Sequence, residues 1–450
     1  MFVHALKIDH KKCIGCMRCL KACPTEAIRI SEGTASIQEH RCIDCGKCHE
    51  VCPVKAIYVN QDDFAMVHEF PHSVALIPSV FIGQFPEDVR VSRIYNALED
   101  LGFRHVFEVE SAATIFAEAK ERYAEQNPDI RPLISSFCPA IVRLIQIKYP
   151  SLVENIMPIK APLDLSANYA LEELQSRGIP REEIGLFYVT PCAAKIAAVK
   201  APVGEKRSII DGVINMDMLF NRTYRKIKEQ GKNYIPRQGG RPINLSSDAI
   251  LSTLTNGERR ICLAKKSYSI DGIQNVMDFL DKLENDEVED VEFLELRACD
   301  QSCAGALLSY ENRFLCGARM YARARKATER ERNGEVPREK GMDKYKDYLL
   351  ANSRVEAPQP RSMFVLDSDR AKAFEKMERI NQLKARLPQI DCGLCGAPSC
   401  ESFAADVVIN RIGLSRCIFY QRHLERQNDI TRQECIAAMN AVWGNDRMKE

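Results

Sequence analysis

Apolar residues between residues 70 and 137 alternate between short continuous runs and helical spacing. The runs Val74–Ile77 and His105–Val109 favour buried strands, because they are short and apolar. Between them, apolar residues recur at helical spacing from Ile94 to Leu101, and Ala112–Gln126 predicts a second helix. This strand–helix–strand–helix order predicts a parallel sheet covered by helices.

A second region of the same kind spans about residues 150–310. It contains a predicted helix at Ala167–Arg177, a strand at Gly185–Thr190 and a helix at Ile273–Leu283. The fold class predicted for the centre of the chain is therefore α/β, with two parallel-sheet βαβ halves. The strongly charged stretch Arg319–Arg354 that follows predicts a solvated helix and a linker.

Three of the predicted strands end in thiols. These stretches are Pro132–Cys138, Gly185–Cys192 and Phe293–Cys299, and Cys303 follows the last of them. Ligands of α/β sheets bind beyond the carboxyl ends of the strands, so three strands of one sheet would bring all four thiols to one edge. Four converging thiolates are the ligand set of a cubane iron–sulfur cluster. The alternative is four unrelated buried thiols, because free cysteine is often buried.

Residues 1–60 contain an internal repeat with an offset of 29 residues. The repeated thiols are Cys13, Cys16, Cys19 and Cys23, followed by Cys42, Cys45, Cys48 and Cys52. This is the spacing of bacterial two-cluster ferredoxins, in which the fourth cysteine of each run binds the other cluster. It predicts an α+β ferredoxin-like domain over residues 1–62, with Cys52 on the first cubane and Cys23 on the second. A zinc site would not need three thiols at this interval.

The end of the chain predicts a small, mostly helical domain over residues 365–450. An amphipathic helix runs from Phe374 to Leu387, and Pro388 stops it. Four cysteines follow, at Cys392, Cys395, Cys400 and Cys417. Their spacing resembles a small four-cysteine iron–sulfur domain of redox proteins, with zinc as the alternative. The remaining thiols, Cys262, Cys316 and Cys435, are predicted to be ordinary buried or surface thiols.

Composition narrows the function classes. Lys and Arg number 63 against 62 for Asp and Glu, and a net charge of +1 argues against nucleic-acid binding or a polybasic membrane role. The sequence has no run of 18 apolar residues and no secretory leader, so we expect a cytoplasmic protein. Nineteen cysteines in such a protein indicate metal binding rather than disulfides.

The three thiol-ending stretches resemble the signature motifs of the [FeFe]-hydrogenase catalytic domain, over residues 70–355. The resemblance implies an H-cluster, in which Cys138, Cys192, Cys299 and Cys303 hold a cubane. The last of these cysteines would also bridge to a two-iron unit that carries carbon monoxide and cyanide. It further implies that Lys195 donates to a cyanide and that Pro78 and Ser79 line the site. Three further [4Fe-4S] clusters would then lie outside this domain.

The chain differs from that family at the residues that transfer protons to the site. Fast members carry a proton-passing cysteine where this chain has Phe137, and a relay serine where it has Met157. Two methionines near the cluster are replaced by Thr190 and Arg297. Arg297 lies two residues before Cys299 on the strand, so we expect its charge to favour the reduced cluster; the alternative is a salt bridge on the outer face. Glu118 and Glu121 match the outer relay glutamates only loosely.

These departures resemble the slow, sensory branch of the family. The resemblance implies reversible reaction with H2 and protons, a low-potential electron carrier or signalling partner, and dedicated maturation factors. Two alternatives stay open. One is a hydrogenase-like protein of iron–sulfur assembly without H2 activity, and the other is a redox protein acting on another small substrate. A homodimer also stays open.

Overall fold

A computed structural model describes residues 4–231, 234, 245–261, 264, 266–362, 366–367 and 369–445. Contacts divide the chain into two compact units. The first, here called the central unit, is Gln61–Pro360, and the second, the cluster unit, combines His4–Asn60 with Arg361–Glu450. The three domains predicted above stay a prediction, and the two ends of the chain share one compact unit.

The bounds of the regular elements among the described residues are as follows. The strands are β1 (Leu6–Ile8), β2 (Ile28–Ser31), β3 (Thr34–Ile37), β4 (Ile57–Val59), β5 (His72–Ile77), β6 (His105–Glu108), β7 (Leu133–Ile134), β8 (Ile184–Thr190), β9 (Gly212–Asn215), β10 (Ser267–Asp271) and β11 (Phe293–Arg297). The helices are α1 (Arg18–Ala22), α2 (Lys47–Glu50), α3 (Ser79–Gly83), α4 (Val91–Asp100), α5 (Ala113–Gln126), α6 (Pro139–Lys148), α7 (Pro162–Gln175), α8 (Ala193–Lys200), α9 (Met216–Glu229), α10 (Ser247–Leu251), α11 (Ile273–Glu284), α12 (Arg313–Arg332), α13 (Lys346–Ala351), α14 (Arg370–Arg386), α15 (Cys400–Val408), α16 (Ile418–Gln427) and α17 (Arg432–Trp443). None of these helices is both long and apolar enough to cross a bilayer.

The central unit contains two parallel sheets, as the predicted fold class requires. One has the strand order β6-β5-β8-β9 and the other the order β10-β11-β7. All seven residues of β8 are buried, which is typical of a parallel strand covered on both faces. The helical and strand patterns read from the sequence lie within a few residues of the observed elements.

The prediction that the three thiol-ending strands share one sheet was wrong. Strand β8 pairs with β5 and β9, whereas β7 pairs with β11, so β8 lies in a different sheet from the other two. Each sheet therefore takes strands from both halves of the sequence. The apolar pattern identifies a strand but not its neighbour, because pairing depends on contacts that are distant along the chain.

The charged stretch after residue 313 is also more than a solvated helix. Asn312 caps α12 by accepting a hydrogen bond from the Phe314 amide, and α12 buries Cys316, Met320 and Ala324. Its Arg323 side chain is only 15% exposed and pairs with the buried Glu108 carboxylate. One face of this helix is therefore part of the core.

The cluster unit joins the ferredoxin-like repeat to the tail through backbone hydrogen bonds. The Ile30 amide donates to the Gly396 carbonyl at 2.8 Å, and the Gly33 amide donates to the Val442 carbonyl at 2.9 Å. A Cβ on Gly396 would lie 2.2 Å from the Ile30 carbonyl oxygen, so this contact requires glycine. The tail helices have a core of their own around Ile380, Phe403 and Val408.

Candidate active site and cluster-binding cysteines

The ends of β7, β8 and β11 carry the four central thiols. Cys138 and Cys192 lie directly before α6 and α8, and the turn after β11 carries Cys299 and Cys303. A Cβ on Gly305 would lie 1.9 Å from the Asp300 carbonyl oxygen, so this turn closes only with glycine at that position.

The electrostatics of these thiols fit a metal cluster. Burial, together with the thiols of Cys303 and Cys138, raises the pKa of Cys192 to about 12 against the opposing charge of Lys195. Cys192 therefore lies within electrostatic range of both thiols. Cluster iron binds thiolates and supplies the positive charge that such a partly buried, mutually repelling set needs. The donor set thus fits a cubane iron–sulfur cluster.

Lys195 is the cation of the site. Its Nζ lies 3.9 Å from the Cys303 Sγ, and the residue is 8% exposed. Burial lowers the pKa of Lys195, but the thiol of Cys303 and the phenol of Tyr188 outweigh it, so the net shift is upward. The Tyr188 hydroxyl is buried and has no hydrogen-bond partner among the described residues. The lysine is therefore held as a fixed positive charge beside the thiols.

Phe137 lies between two cations. Its ring centroid is 3.4 Å from the Arg297 Cζ and 4.8 Å from the Lys195 Nζ. Both contacts are short enough for a cation–π interaction. The ring is 4% exposed, so it forms an apolar wall of the site where a titratable side chain would otherwise reach it.

Arg297 faces the site, as its register on the strand predicts, but its charge is shared. Its Nη2 donates to Glu258 at 2.7 Å and contacts Glu295 at 3.4 Å. Burial opposes the charge of Arg297, and the two carboxylates more than offset that effect, so its pKa is raised. Its Nε and Nη1 have no hydrogen-bond partner among the described residues. The predicted redox effect of a free cation is thus weakened by two nearby anions.

The Glu258 carboxylate is the centre of a buried polar network that our sequence analysis missed. It accepts hydrogen bonds from the Lys120 Nζ and the Ser135 hydroxyl, each at 2.7 Å. Burial would raise the pKa of Glu258, but Lys120 and Arg297 lower it below its usual range. The available signal was Glu295 and Arg297 within an otherwise apolar strand, since a buried charge requires a partner.

Pro78 and Ser79 lie at the start of α3, next to two further buried carboxylates. The Ser79 amide donates to Glu110 at 2.6 Å, and its hydroxyl donates to Glu108 at 2.8 Å. Burial and the charge of Glu108 raise the pKa of Glu110 to about 7, although the Ser79 hydrogen bonds and Lys195 oppose that shift. These two glutamates were also missed, although they interrupt a strand pattern in the same way as Glu295.

Thr190 has a local role. Its hydroxyl donates to the Cys192 carbonyl at 2.9 Å and accepts from the Cys192 amide at 3.2 Å. It therefore orders the turn that presents Cys192.

The predicted outer relay does not gather at the site. Glu118 pairs with Arg122 and Lys346, which are 52% and 41% exposed, and Glu121 lines a surface cavity beside it. Met157 is 1% exposed and lines two cavities, one with Phe137 and Lys195 and the other with Lys120 and Glu121. The apolar side chain of Met157 is thus shared by the walls of both cavities.

The N-terminal thiols form two sets, in agreement with the ferredoxin spacing. Burial raises the pKa of Cys19 to about 12, and Cys13, Cys16 and Cys52 act on it electrostatically. Burial likewise raises the pKa of Cys45 to about 12, with Cys23 as the next cause. The exchange of the fourth cysteine between the runs stays a prediction, and the effects of Cys52 on Cys19 and of Cys23 on Cys45 support it. The amides of Ala27 and Ala56 donate to Cys23 and Cys52 at 3.1 and 3.3 Å, so the internal repeat extends to these hydrogen bonds.

The tail thiols also converge. Burial raises the pKa of Cys395 to about 12, with Cys417 and Cys392 among the further causes, and Cys400 acts on Cys417. Cys435 donates to Glu425 at 3.4 Å, and no thiol is among the groups that shift its pKa, so it lies outside the tail set. Cys316 is buried in α12, where burial raises its pKa to about 12 and the Cys303 thiol contributes to that shift. Cys262 lies outside the described residues.

Comparison with known proteins agrees with this division. Residues 72–233 match the family "Iron only hydrogenase large subunit, C-terminal domain", residues 6–59 match the 4Fe-4S dicluster domain, and residues 387–419 match an Fe-S cluster family. The chain is 32% identical over 154 residues to iron hydrogenase 1 of Clostridium pasteurianum, which is 31% of this chain and 27% of that protein.

A second relative is the periplasmic [Fe] hydrogenase large subunit of Nitratidesulfovibrio vulgaris. It is 31% identical over 216 residues, covering 43% of this chain and 51% of that protein. The chain thus spans about a quarter to a half of the length of these curated relatives. A solved [FeFe]-hydrogenase of Chlamydomonas reinhardtii is 15% identical, with 66% of this chain and 98% of that chain covered and a TM-score of 0.48. Residues 72–233 are thus similar to the iron-only, or [FeFe], hydrogenase family, and both curated relatives are hydrogenases.

Proposed function

We propose that this protein reacts reversibly with H2 at an H-cluster held by Cys138, Cys192, Cys299 and Cys303. The observation that carries the proposal is the set of four partly buried thiols with the Lys195 Nζ 3.9 Å from the Cys303 Sγ. A cation in a low-dielectric pocket stabilises an anionic group strongly. When bound, the two-iron unit supplies the metal chemistry of hydrogen binding and cleavage. The side chains of this chain hold it, exclude water and deliver or remove protons.

We further propose that turnover is slow and that H2 sensing is the biological role. Phe137 and Met157 are buried and have no exchangeable proton at the positions where the family's relay begins. Proton transfer by positioned groups contributes about 10²–10⁴-fold to a rate. A site that lacks those groups still equilibrates with H2, and its redox state then reports the H2 level to a partner.

Electrons reach or leave the site through three further [4Fe-4S] clusters in the cluster unit. Two are held by the ferredoxin-like repeat and one by Cys392, Cys395, Cys400 and Cys417. The tail cluster belongs with the ferredoxin clusters, since backbone hydrogen bonds fasten Gly396 and Val442 to the β2–β3 hairpin. The outer partner is a low-potential carrier or a signalling protein, and we expect the protein in the cytoplasm.

An infrared spectrum of the protein matured with the two-iron unit tests the proposed function. Carbon monoxide and cyanide bands that shift reversibly between H2 and argon are expected. Absence of bands after maturation would instead favour the assembly role, in which the cubane binds but the two-iron unit does not. Carbon monoxide and cyanide bands that do not shift between H2 and argon would contradict the hydrogen-reactive site.

Replacing Cys417 by serine tests the tail cluster. Protein made anaerobically should lose one cubane, or about four iron atoms per chain, and keep the infrared bands of the active site. Cys435→Ser is the matched control, because this thiol lies on the tail but outside the thiol set. Iron analysis should show no loss in the control. Zinc at the tail site in the unmodified protein would refute its role in electron transfer.

A further inference from the structure

We infer that Asp164 is a proton-carrying residue, which exchanges protons between solvent and the Phe137–Lys195 face of the site through a cavity of about 100 Å³. This inference rests on the proposed function. Phe137 and Met157 carry no exchangeable proton at the relay positions of the family. The path through Asp164 would deliver protons in place of that relay.

The cavity links the site to the surface. Phe137 and Lys195 line one part of it, and Lys160 and Glu205 line another. Lys160 and Glu205 form an ion pair of 2.8 Å whose side chains are 15% and 28% exposed, so they stand at the rim. Asp164 lines the same cavity from the first turn of α7.

The cavity has room for water. A water molecule needs at least about 10–15 Å³ of space of this kind, so the cavity accommodates several. Its walls also offer the polar partners that ordered water requires, namely the side chains of Asp164, Lys160 and Lys195. Protons can then pass along water between the Asp164 carboxylate and the part of the cavity that Phe137 and Lys195 line, although Phe137 itself carries no titratable group.

The charges around Asp164 suit proton transfer. Burial and the charge of Glu205 together raise the pKa of Asp164 to about 7, although Lys160 and Lys195 oppose the shift. Arg143 is the remaining charged residue of the cavity wall. A carrier works best when its pKa is near the working pH, since it then both gains and loses a proton readily.

The step changes no oxidation state in the protein. The Asp164 carboxyl loses its proton to cavity water on the side of the site and regains one from water at the rim, and H2 oxidation runs the same transfers in reverse. Lys195 keeps its charge throughout. The carboxylate also lies near the N-terminus of α7, where a negative charge favours the helix, so a purely structural role must be tested separately.

The first experiment reads protonation without turnover, in protein that carries its cubanes but not the two-iron unit. An infrared carboxylic-acid band should appear as pH falls through about 7 and should shift in D2O. Glu110 should contribute a second band, because its pKa is also raised to about 7. Asp164→Asn should remove one band, whereas Asp164→Glu should retain it. A spectrum unchanged by Asp164→Asn would overturn the inference.

The second experiment measures H2 oxidation against pH in the fully matured protein. Asp164→Asn should lower the rate of H2 oxidation by about 10²-fold or more. It should also abolish the increase of that rate as the pH rises through neutrality, because a deprotonated carboxylate must accept the proton. Asp164→Glu should restore most of the rate and of its pH dependence. The control is Asp217→Asn, which removes a carboxylate from the first turn of α9, away from the cavity. It should leave the rate and the pH profile unchanged.

The outcomes separate this inference from the proposed function. If Asp164→Asn keeps the rate and pH profile while its infrared bands still respond to H2, Asp164 is not the carrier and the hydrogen-reactive site stands. An equal loss in Asp217→Asn would also overturn the inference, because helix stability would then explain the effect. Should the unmodified protein show no response to H2, the proposed function fails, whatever the state of Asp164.

Discussion

Replacing Lys195 by alanine is expected to abolish stable uptake of the two-iron unit and to leave the cubane in place. The reason is electrostatic. The Lys195 Nζ is buried and lies 3.9 Å from the Cys303 Sγ. An anionic ligand that enters this pocket loses its water and depends on that donor.

The measurement is iron content together with infrared spectra after maturation. The variant should retain the iron of all its cubanes and show no carbon monoxide or cyanide bands. Lys200→Ala, at the exposed end of the same helix, removes an ion pair with Asp62 and should mature normally. Normal uptake by Lys195→Ala would show that the lysine does not hold the unit, and the residue-by-residue match to the family would then be wrong at this position.

Much of the site could be predicted because its residues have local signatures. Cysteines at fixed intervals define the two ferredoxin sets, and a thiol at the end of an apolar run defines each central ligand. The position of Arg297 followed from the two-residue period of a strand. Such signals lie close together in the sequence, so they do not depend on contacts with distant parts of the chain.

The parts that could not be predicted depend on partners far along the chain. Arg297 meets Glu258, 39 residues away, and Glu108 meets Arg323, 215 residues away. The same limit explains why β7 and β8 were assigned to one sheet. The joining of the tail to the β2–β3 hairpin rests on the Ile30 amide and the Gly396 carbonyl, and no local pattern marks such a pair.

Restoring both titratable groups, as Phe137→Cys and Met157→Ser together, is expected to raise turnover by about 10²-fold or more, beyond the product of the two single changes. Each residue lines the cavity beside Lys195, and Met157 also lines the cavity that contains Lys120 and Glu121. A serine at position 157 connects these spaces with a hydroxyl, and a cysteine at position 137 places a thiol at the site. Either change alone leaves the chain of proton-transfer groups incomplete.

The matched control is Phe137→Ala with Met157→Ala, which removes the same bulk without adding an exchangeable proton. It is needed because Phe137→Cys also removes the ring against which Arg297 and Lys195 pack, at 3.4 and 4.8 Å. A gain in the alanine pair would show that access of water, not the thiol and hydroxyl, limits the rate. Additive effects of the single changes would contradict an interrupted relay, and fast turnover in the unmodified protein would refute slow proton delivery altogether. In the restored protein, Asp164→Asn should cost much less than in the unmodified one, because protons then have a second path.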